Sequence, residues 1–259
     1  AGAPVMTGKH LLITGLTGLP AIGIILDEKE PREIVRILKY ILPPTGGSVN
    51  LEDLSSPHSF EVERLLQKEL GLGVFDDDQW GTGIVGLAAL LNGAKLLGKD
   101  LDELRIHFQG AGAGAIGVAF ILIEAGVRPG NITMADSHGL IYQGRDGLNK
   151  EKQHIAAIIN SRDLRGSWEN GIVGSNVYIG LSSSAPRYRT PLTPEHFRTM
   201  APGAGIISLA NPSPEILFTV DEDIALAFSR FRDAGATFVG TGRSDAPNGV
   251  NNVSGFPGM

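Results

Sequence analysis

Leu104-Arg105-Ile106-His107-Phe108-Gln109-Gly110-Ala111-Gly112-Ala113-Gly114-Ala115-Ile116-Gly117 decides the fold of this chain. Leu104 to Phe108 reads as a strand, the glycine-rich segment as a turn, and Val118 to Ala125 as a helix. Within the turn, Gly110, Gly112 and Ala115 satisfy a G-x-G-x-x-A spacing. The first glycine makes the turn, the second lets the backbone approach a pyrophosphate, and the small third residue lets helix and strand pack closely. The helix N-terminus then offers free amides and a positive dipole end to phosphate. In a chain with 35 glycines the spacing alone says little, and the strand-turn-helix setting gives it weight.

Asn131 to Asp136 reads as the next strand, ending in an acid at the separation where a carboxylate reaches an adenosine ribose. Asp136 therefore favours NAD over NADP, moderated by Arg145 and Lys150 further along. Beyond it, Glu151–Asn160 reads as a helix, Asn176–Gly180 as a strand, Thr193–Met200 as a helix, and Gly205–Leu209 as a strand closed by Ala210-Asn211-Pro212. A helix over Asp221–Phe231 and a strand over Thr237–Gly240 follow. Strands alternating with helices predict an α/β fold, a doubly wound parallel-sheet Rossmann unit over residues 101–259. Asn211 stands at the strand edge where the cofactor would lie, although Asn before Pro is also an ordinary turn.

Residues 1–100 read as a smaller α/β segment. His10–Thr14 and Ala21–Leu26 are expected to be short buried strands, with Lys9 just before the first and Gly15–Pro20 as a loop between them. Glu30–Ile41 carries apolar residues at helical spacing, and Pro43-Pro44-Thr45-Gly46-Gly47 ends that helix. Ser48–Asp53 is a strand ending in Glu52-Asp53, and Phe60–Leu70 a helix. Val74-Phe75 ends another strand, followed by Asp76-Asp77-Asp78-Gln79-Trp80-Gly81-Thr82 and a small-residue helix. Any one of these acids could cap its own helix. Several so close repel one another unless a cation or proton relieves them. Parallel neighbours lie about 5 Å apart, so acids ending two adjacent strands can converge. Such hard oxygen ligands suit Mg²⁺ or Mn²⁺.

The chain has no cysteine, which excludes a disulfide framework, a thiolate metal site and a cysteine nucleophile. A formal charge of -6 without a basic stripe argues against nucleic acid as a partner. No apolar run is expected to reach the roughly 20 residues of a membrane span, no signal-peptide layout is present, and a cytoplasmic setting is expected. The chain starts without Met and stops just after Phe256-Pro257-Gly258, so truncation at both ends is expected.

Taken together, Pro4-Val5-Met6-Thr7-Gly8-Lys9, Asn50-Leu51-Glu52-Asp53, Phe75 to Thr82, Gly110 to Gly117, Asp136 with Gly139-Leu140-Ile141, Leu209-Ala210-Asn211-Pro212 and Gly249-Val250-Asn251-Asn252-Val253 with Phe256-Pro257-Gly258 resemble the malic enzymes in order and spacing. The resemblance implies NAD(P)-dependent, divalent-metal-dependent oxidative decarboxylation of L-malate to pyruvate and CO₂. It makes Lys9 the general base, Asp77 its tuning neighbour, and Glu52, Asp53 and Asp78 the metal ligands. Gly110, Ala111, Gly112, Ala113, Gly114, Ala115, Asp136 and Asn211 would hold the dinucleotide, and Asn251 and Asn252 would face the substrate. A homo-oligomer, dimer or tetramer, is also implied. The family's catalytic tyrosine and a carboxylate-gripping arginine belong to sequence upstream of Ala1. Asp76 and Trp80 depart from the histidines usual in bacterial relatives. A malolactic enzyme that retains NAD, a non-catalytic dinucleotide-binding module and a metal-free dehydrogenase are the competing readings.

Overall fold

The computed structural model describes residues 2–42, 47–182 and 191–258, and its first element, α1 (Gly2–Thr17), is a helix where a strand was expected over His10–Thr14. Lys9 therefore lies inside a helix, not ahead of a strand. The apolar run Leu11-Leu12-Ile13 fits either state, and no neighbouring edge pairs with it. Gly18, at φ 72°, ends α1 with its N–H on the Thr14 carbonyl, and Ala21–Leu26 follows without regular structure. The loop expected over Gly15–Pro20 is thus partly helix.

Helix α2 (Pro31–Ile41) buries Ile34, Val35 and Leu38. The turn expected over Pro43-Pro44-Thr45-Gly46 lies outside the described residues. Strand β1 (Ser48–Leu51), helix α3 (His58–Leu70) and strand β2 (Gly73–Asp76) follow, with β1 and β2 paired in parallel. Their register sets Leu51 beside Asp76, so the acids that follow each strand emerge at one edge. Leu51, Val62 and Leu66 close a small core with α2.

A π-helical turn, Asp77–Gly81, then feeds α4 (Thr82–Leu97). Such widened turns recur at functional sites. Together they form a helical run of 21 residues, Asp77–Leu97, which by length and composition is apolar enough to cross a membrane, against the expectation that no run would be. The run uses its small residues for packing: Gly83 and Gly86 face Ile121 and Val118 of the next helix, and Gly93 faces Phe238.

The remaining chain supplies β3 (Ile106–Gln109), α5 (Ala113–Glu124), β4 (Ile132–Asp136), the two-residue β5 (Gly139–Leu140), α6 (Lys150–Ala156), α7 (Trp168–Ile172) and β6 (Val177–Gly180). After these come α8 (Pro194–Arg198), β7 (Gly205–Ser208), α9 (Ile224–Asp233), β8 (Phe238–Thr241) and a closing 3₁₀ segment, Asn252–Gly258. The strand order is β5-β4-β3-β6-β7-β8, parallel except for β5. Ile106 and Phe108 pack on the α5 side, whereas Tyr178, Ile206 and Val239 pack on α7, α8 and α9. This is the Rossmann arrangement: strands are added outward in one direction from β3 to β4 and in the other from β6 to β8, so the strand order switches between the parallel neighbours β3 and β6. Ligands bind at that switch point, beyond the carboxyl ends of the strands.

Candidate active site

At that edge a cleft of about 650 Å³ opens between the two sheets, lined on one side by Lys9, Glu52 and Asp78 and on the other by the loop Gly112–Ala115. Asn211, Asn251 and Asn252 complete its wall. A second hollow, of about 500 Å³, lies between α3 and the start of α6 and holds none of these residues.

Lys9 reaches into the cleft from α1. Its Nζ lies 2.8 Å from Glu52 Oε2, donates to Asp77 Oδ2, and stands 4.7 Å from the centre of the Phe256 ring. Asp77 is fully buried, and its Oδ2 also accepts from Asn252 Nδ2 at 2.7 Å. Asp78 Oδ2 accepts from the backbone N–H of Asp53 at 3.0 Å. One ammonium thus faces three carboxylates. Burial pushes Glu52 up, to about 8, and the charges of Asp78 and Asp77 add to this against the pull of Lys9. Asp78 is raised by burial as well. Burial works against the charge on Lys9, but hydrogen bonds and charges from Asp77 and Glu52 hold it above the ordinary lysine value.

Among the described residues, no group of three or more acids or histidines is gathered closely enough to hold a metal ion. Glu52 and Asp78 share the cleft, while Asp53 is exposed, at φ 61°, and meets Asp78 through its main chain. The donor chemistry fits a hard divalent cation. Carboxylate oxygens are the right type, and among the described residues Asp77 Oδ1 is buried without a hydrogen-bond partner.

The loop after β3 is shaped for close approach. Gly110, at φ 121°, abuts the Leu181 carbonyl, where a side chain could not fit. Gly112 has open space where a β-carbon would project. A β-carbon on Gly114 would stand 3.1 Å from the Asp78 carbonyl oxygen. Asp136 ends β4, and its Oδ2 accepts from Arg145 Nη2 at 2.5 Å and Lys152 Nζ at 2.7 Å, while its Oδ1 takes the His138 N–H at 3.0 Å. Burial alone would raise this carboxyl, yet Arg145 and Lys152 override it and hold it at about 2. The second cation on Asp136 is Lys152; Lys150, expected there from the sequence, opens α6 instead.

The asparagines are partly engaged within the protein. Asn251 donates to the Gly242 carbonyl at 3.2 Å and accepts from the Val253 N–H, and Asn252 is bound to Asp77. Trp80 donates its indole N–H to Glu63 at 2.8 Å, so the corner's hydrogen bonding differs from a histidine pair. Sequence reasoning missed Glu215, buried among serines at the ends of β6 and β7; an acid after Pro-Ser-Pro carries no periodic signal. It also missed the ring of Phe256 against Lys9.

The sequence model of the malic enzyme NAD-binding domain matches residues 80–259. The chain is 42% identical over 260 residues to the bifunctional malic/malolactic enzyme of Bacillus subtilis (strain 168), covering all of this chain and 59% of that protein. It is 41% identical to the NAD-dependent malic enzyme of Geobacillus stearothermophilus, covering all of this chain and 50% of that protein. For the NADP-dependent malic enzyme of Escherichia coli (strain K12) the identity is 37%, with coverage of 99% and 32%. The crystal structure of the NAD-dependent malic enzyme from Thermotoga maritima superposes with a TM-score of 0.86 at 36% identity, covering 99% of this chain and 64% of that one. The chain spans about half the length of the first two of these relatives.

Proposed function

The chain belongs to the malic enzyme family, and from that premise we propose that the protein carrying it oxidises and decarboxylates L-malate to pyruvate and CO₂ with NAD(P) as hydride acceptor. The supporting observation is that Lys9, Glu52 and Asp78 share one cleft with Gly112–Ala115 and Asn211. A small hydroxy acid seated there would lie between the Lys9 amine and the loop that would hold the dinucleotide. In this reading Lys9 must first shed the proton that Asp77 and Glu52 favour, and its neutral amine then takes the hydroxyl proton as hydride leaves the same carbon. Asp77 and Glu52 hold its amine in place, and Asn252 braces Asp77. Asn251 and Asn252 orient the substrate carboxylates. Residues 1–100 bring the base and the acids, and residues 101–259 bring the dinucleotide.

Glu52, Asp78 and, once its side chain turns inward, Asp53 would hold Mg²⁺ or Mn²⁺. When bound, the ion supplies Lewis-acid stabilisation of negative charge as the hydroxyl is deprotonated and as CO₂ departs. Glu52 cannot serve Lys9 and a metal ion equally, so its engagement removes one of the two groups that keep Lys9 protonated.

NAD is the favoured cofactor in this reading, because the ionised Asp136 repels a 2′-phosphate. Arg145 and Lys152 give the trio a net positive charge and narrow the margin. A malolactic outcome is the second reading, favoured by the name of the Bacillus subtilis relative. Turnover of L-malate with Mn²⁺ and NAD, read as NADH and pyruvate against lactate, separates the two. In that assay Lys9→Ala should lower kcat by about 10²- to 10⁴-fold. Asp78→Ala should raise the Mn²⁺ requirement. Near-normal rates in either variant would remove that residue from its role.

A further inference from the structure

Glu215 is 1% exposed, and among the described residues its carboxylate accepts three hydrogen bonds, all from serines. Its Oε1 accepts from the backbone N–H and the hydroxyl of Ser182, each at 2.8 Å. Its Oε2 accepts from Ser208 Oγ at 2.7 Å. Among the described residues no lysine or arginine forms an ion pair with it. A carboxylate so buried and outside the cleft lining is costly to place, and the donors described for it are the two serines at the ends of β6 and β7.

Its position explains it. Ser208 is the last residue of β7, and Ser182 lies two residues past the end of β6. The carboxylate therefore ties the exits of two adjacent strands together at the carboxyl edge. Leu181 and Ser182 both line the cleft. The peptide joining them is fixed at one end by Glu215, through the Ser182 N–H, and its Leu181 carbonyl is the group that Gly110 abuts. Gly180 has no side chain, and a β-carbon there would run into the Glu215 carboxylate.

We propose that Glu215 is a positioning residue for the dinucleotide: through Ser182 it fixes the Leu181–Ser182 peptide against which the Gly110 turn is seated. This rests on the reading that the cleft takes NAD(P). Glu215 touches no reacting atom and acts on cofactor binding through the turn. A glutamine can replace it closely, its carbonyl accepting from Ser182 and its amide donating to Ser208. Ser208→Ala removes one bond to the same carboxylate and leaves Ser182 in place, so it serves as the structural control.

The test titrates NAD into the whole protein and records Kd and thermal midpoint for wild type, E215A, E215Q and S208A. KM for malate is measured at saturating cofactor. E215A should weaken NAD binding by about tenfold or more while E215Q stays within about threefold of wild type. S208A should lower the midpoint but keep Kd within about twofold, and malate KM should move by no more than that in any variant. An E215A Kd within about twofold of wild type would overturn the proposal, as would S208A weakening NAD as much as E215A does. Should E215A not fold, E215D retains the charge, draws both oxygens back from Ser182, and decides by the same thresholds. Wild type that binds neither NAD nor NADP would refute the dinucleotide reading itself, before any variant is compared.

Discussion

Gly117 of α5 stands against Gln79 in the acid-bearing turn so closely that a β-carbon on Gly117 would lie 2.5 Å from the Gln79 carbonyl oxygen. Main chain meets main chain there, and neither side can yield by turning a rotamer. The small residues of the dinucleotide loop thus also set the position of Asp77 and Asp78. Gly117→Ala should destabilise the protein by about 1–3 kcal/mol. It should also raise the Mn²⁺ and malate KM beyond the change in NAD KM. Urea unfolding with steady-state kinetics checks both, and an unchanged Mn²⁺ requirement would separate the two sites.

Asp136 has both oxygens occupied, one by Arg145 and Lys152 and the other by the His138 N–H. A 2′-hydroxyl can still donate to this ionised group, while a 2′-phosphate meets one repelling and two attracting charges. Asp136→Asn should shift the NADP-to-NAD ratio of kcat/KM upward by about tenfold, and Lys152→Ala should lower it. Parallel kinetics with the two cofactors reads the ratio. Equal losses with both after Lys152→Ala would remove that lysine from cofactor choice.

His107 is fully buried in the middle of β3, with Nδ1 2.9 Å from Thr133 Oγ1. Burial pushes it down to about 3. Below the unfolded value near 6.5 the unfolded chain takes up a proton that the folded chain refuses, so stability falls as pH drops from about 6.5 toward 3. The slope from this group is about 1.4 kcal/mol per pH unit. His107→Asn, which keeps a partner for Thr133 but cannot titrate, should reduce the measured slope by that amount. Urea unfolding between pH 7 and pH 4.5 measures it, and an unaltered slope would assign acid lability elsewhere.

The parts of the fold with local signals were legible in the chain. The strand-turn-helix around Gly110 and the alternation beyond it gave the sheet, and the acids after β1 and β2 meet at one edge because the register sets Leu51 beside Asp76. Where two states compete for a short apolar run, as at Leu11-Leu12-Ile13, only the missing partner edge decides, and sequence does not display it. His107 violates the expected apolar filling of a central strand because Thr133 across the register answers it. Glu215 was invisible for a similar reason: its meaning lies in two serines more than five residues distant. Asp53, where φ is positive, is exposed and meets Asp78 through its main chain, which its place in the sequence does not display.

Helix α1 buries none of its residues, yet it carries the amine at the heart of the cleft. Its holdfasts are the carboxylates of Glu52 and Asp77 and the ring of Phe256, which is itself buried in the closing 3₁₀ segment. Residues 2–17 and 252–258 are therefore clasped together, and α1 is expected to open at less free energy than melting the sheet requires. Amide hydrogens of residues 5–16 should exchange with deuterium far sooner than those of β3 or β6, and Phe256→Ala should hasten that exchange without touching the strands. Competence for proton abstraction would then be governed by how long this clasp stays shut, a lifetime that ligands on either side of it could lengthen.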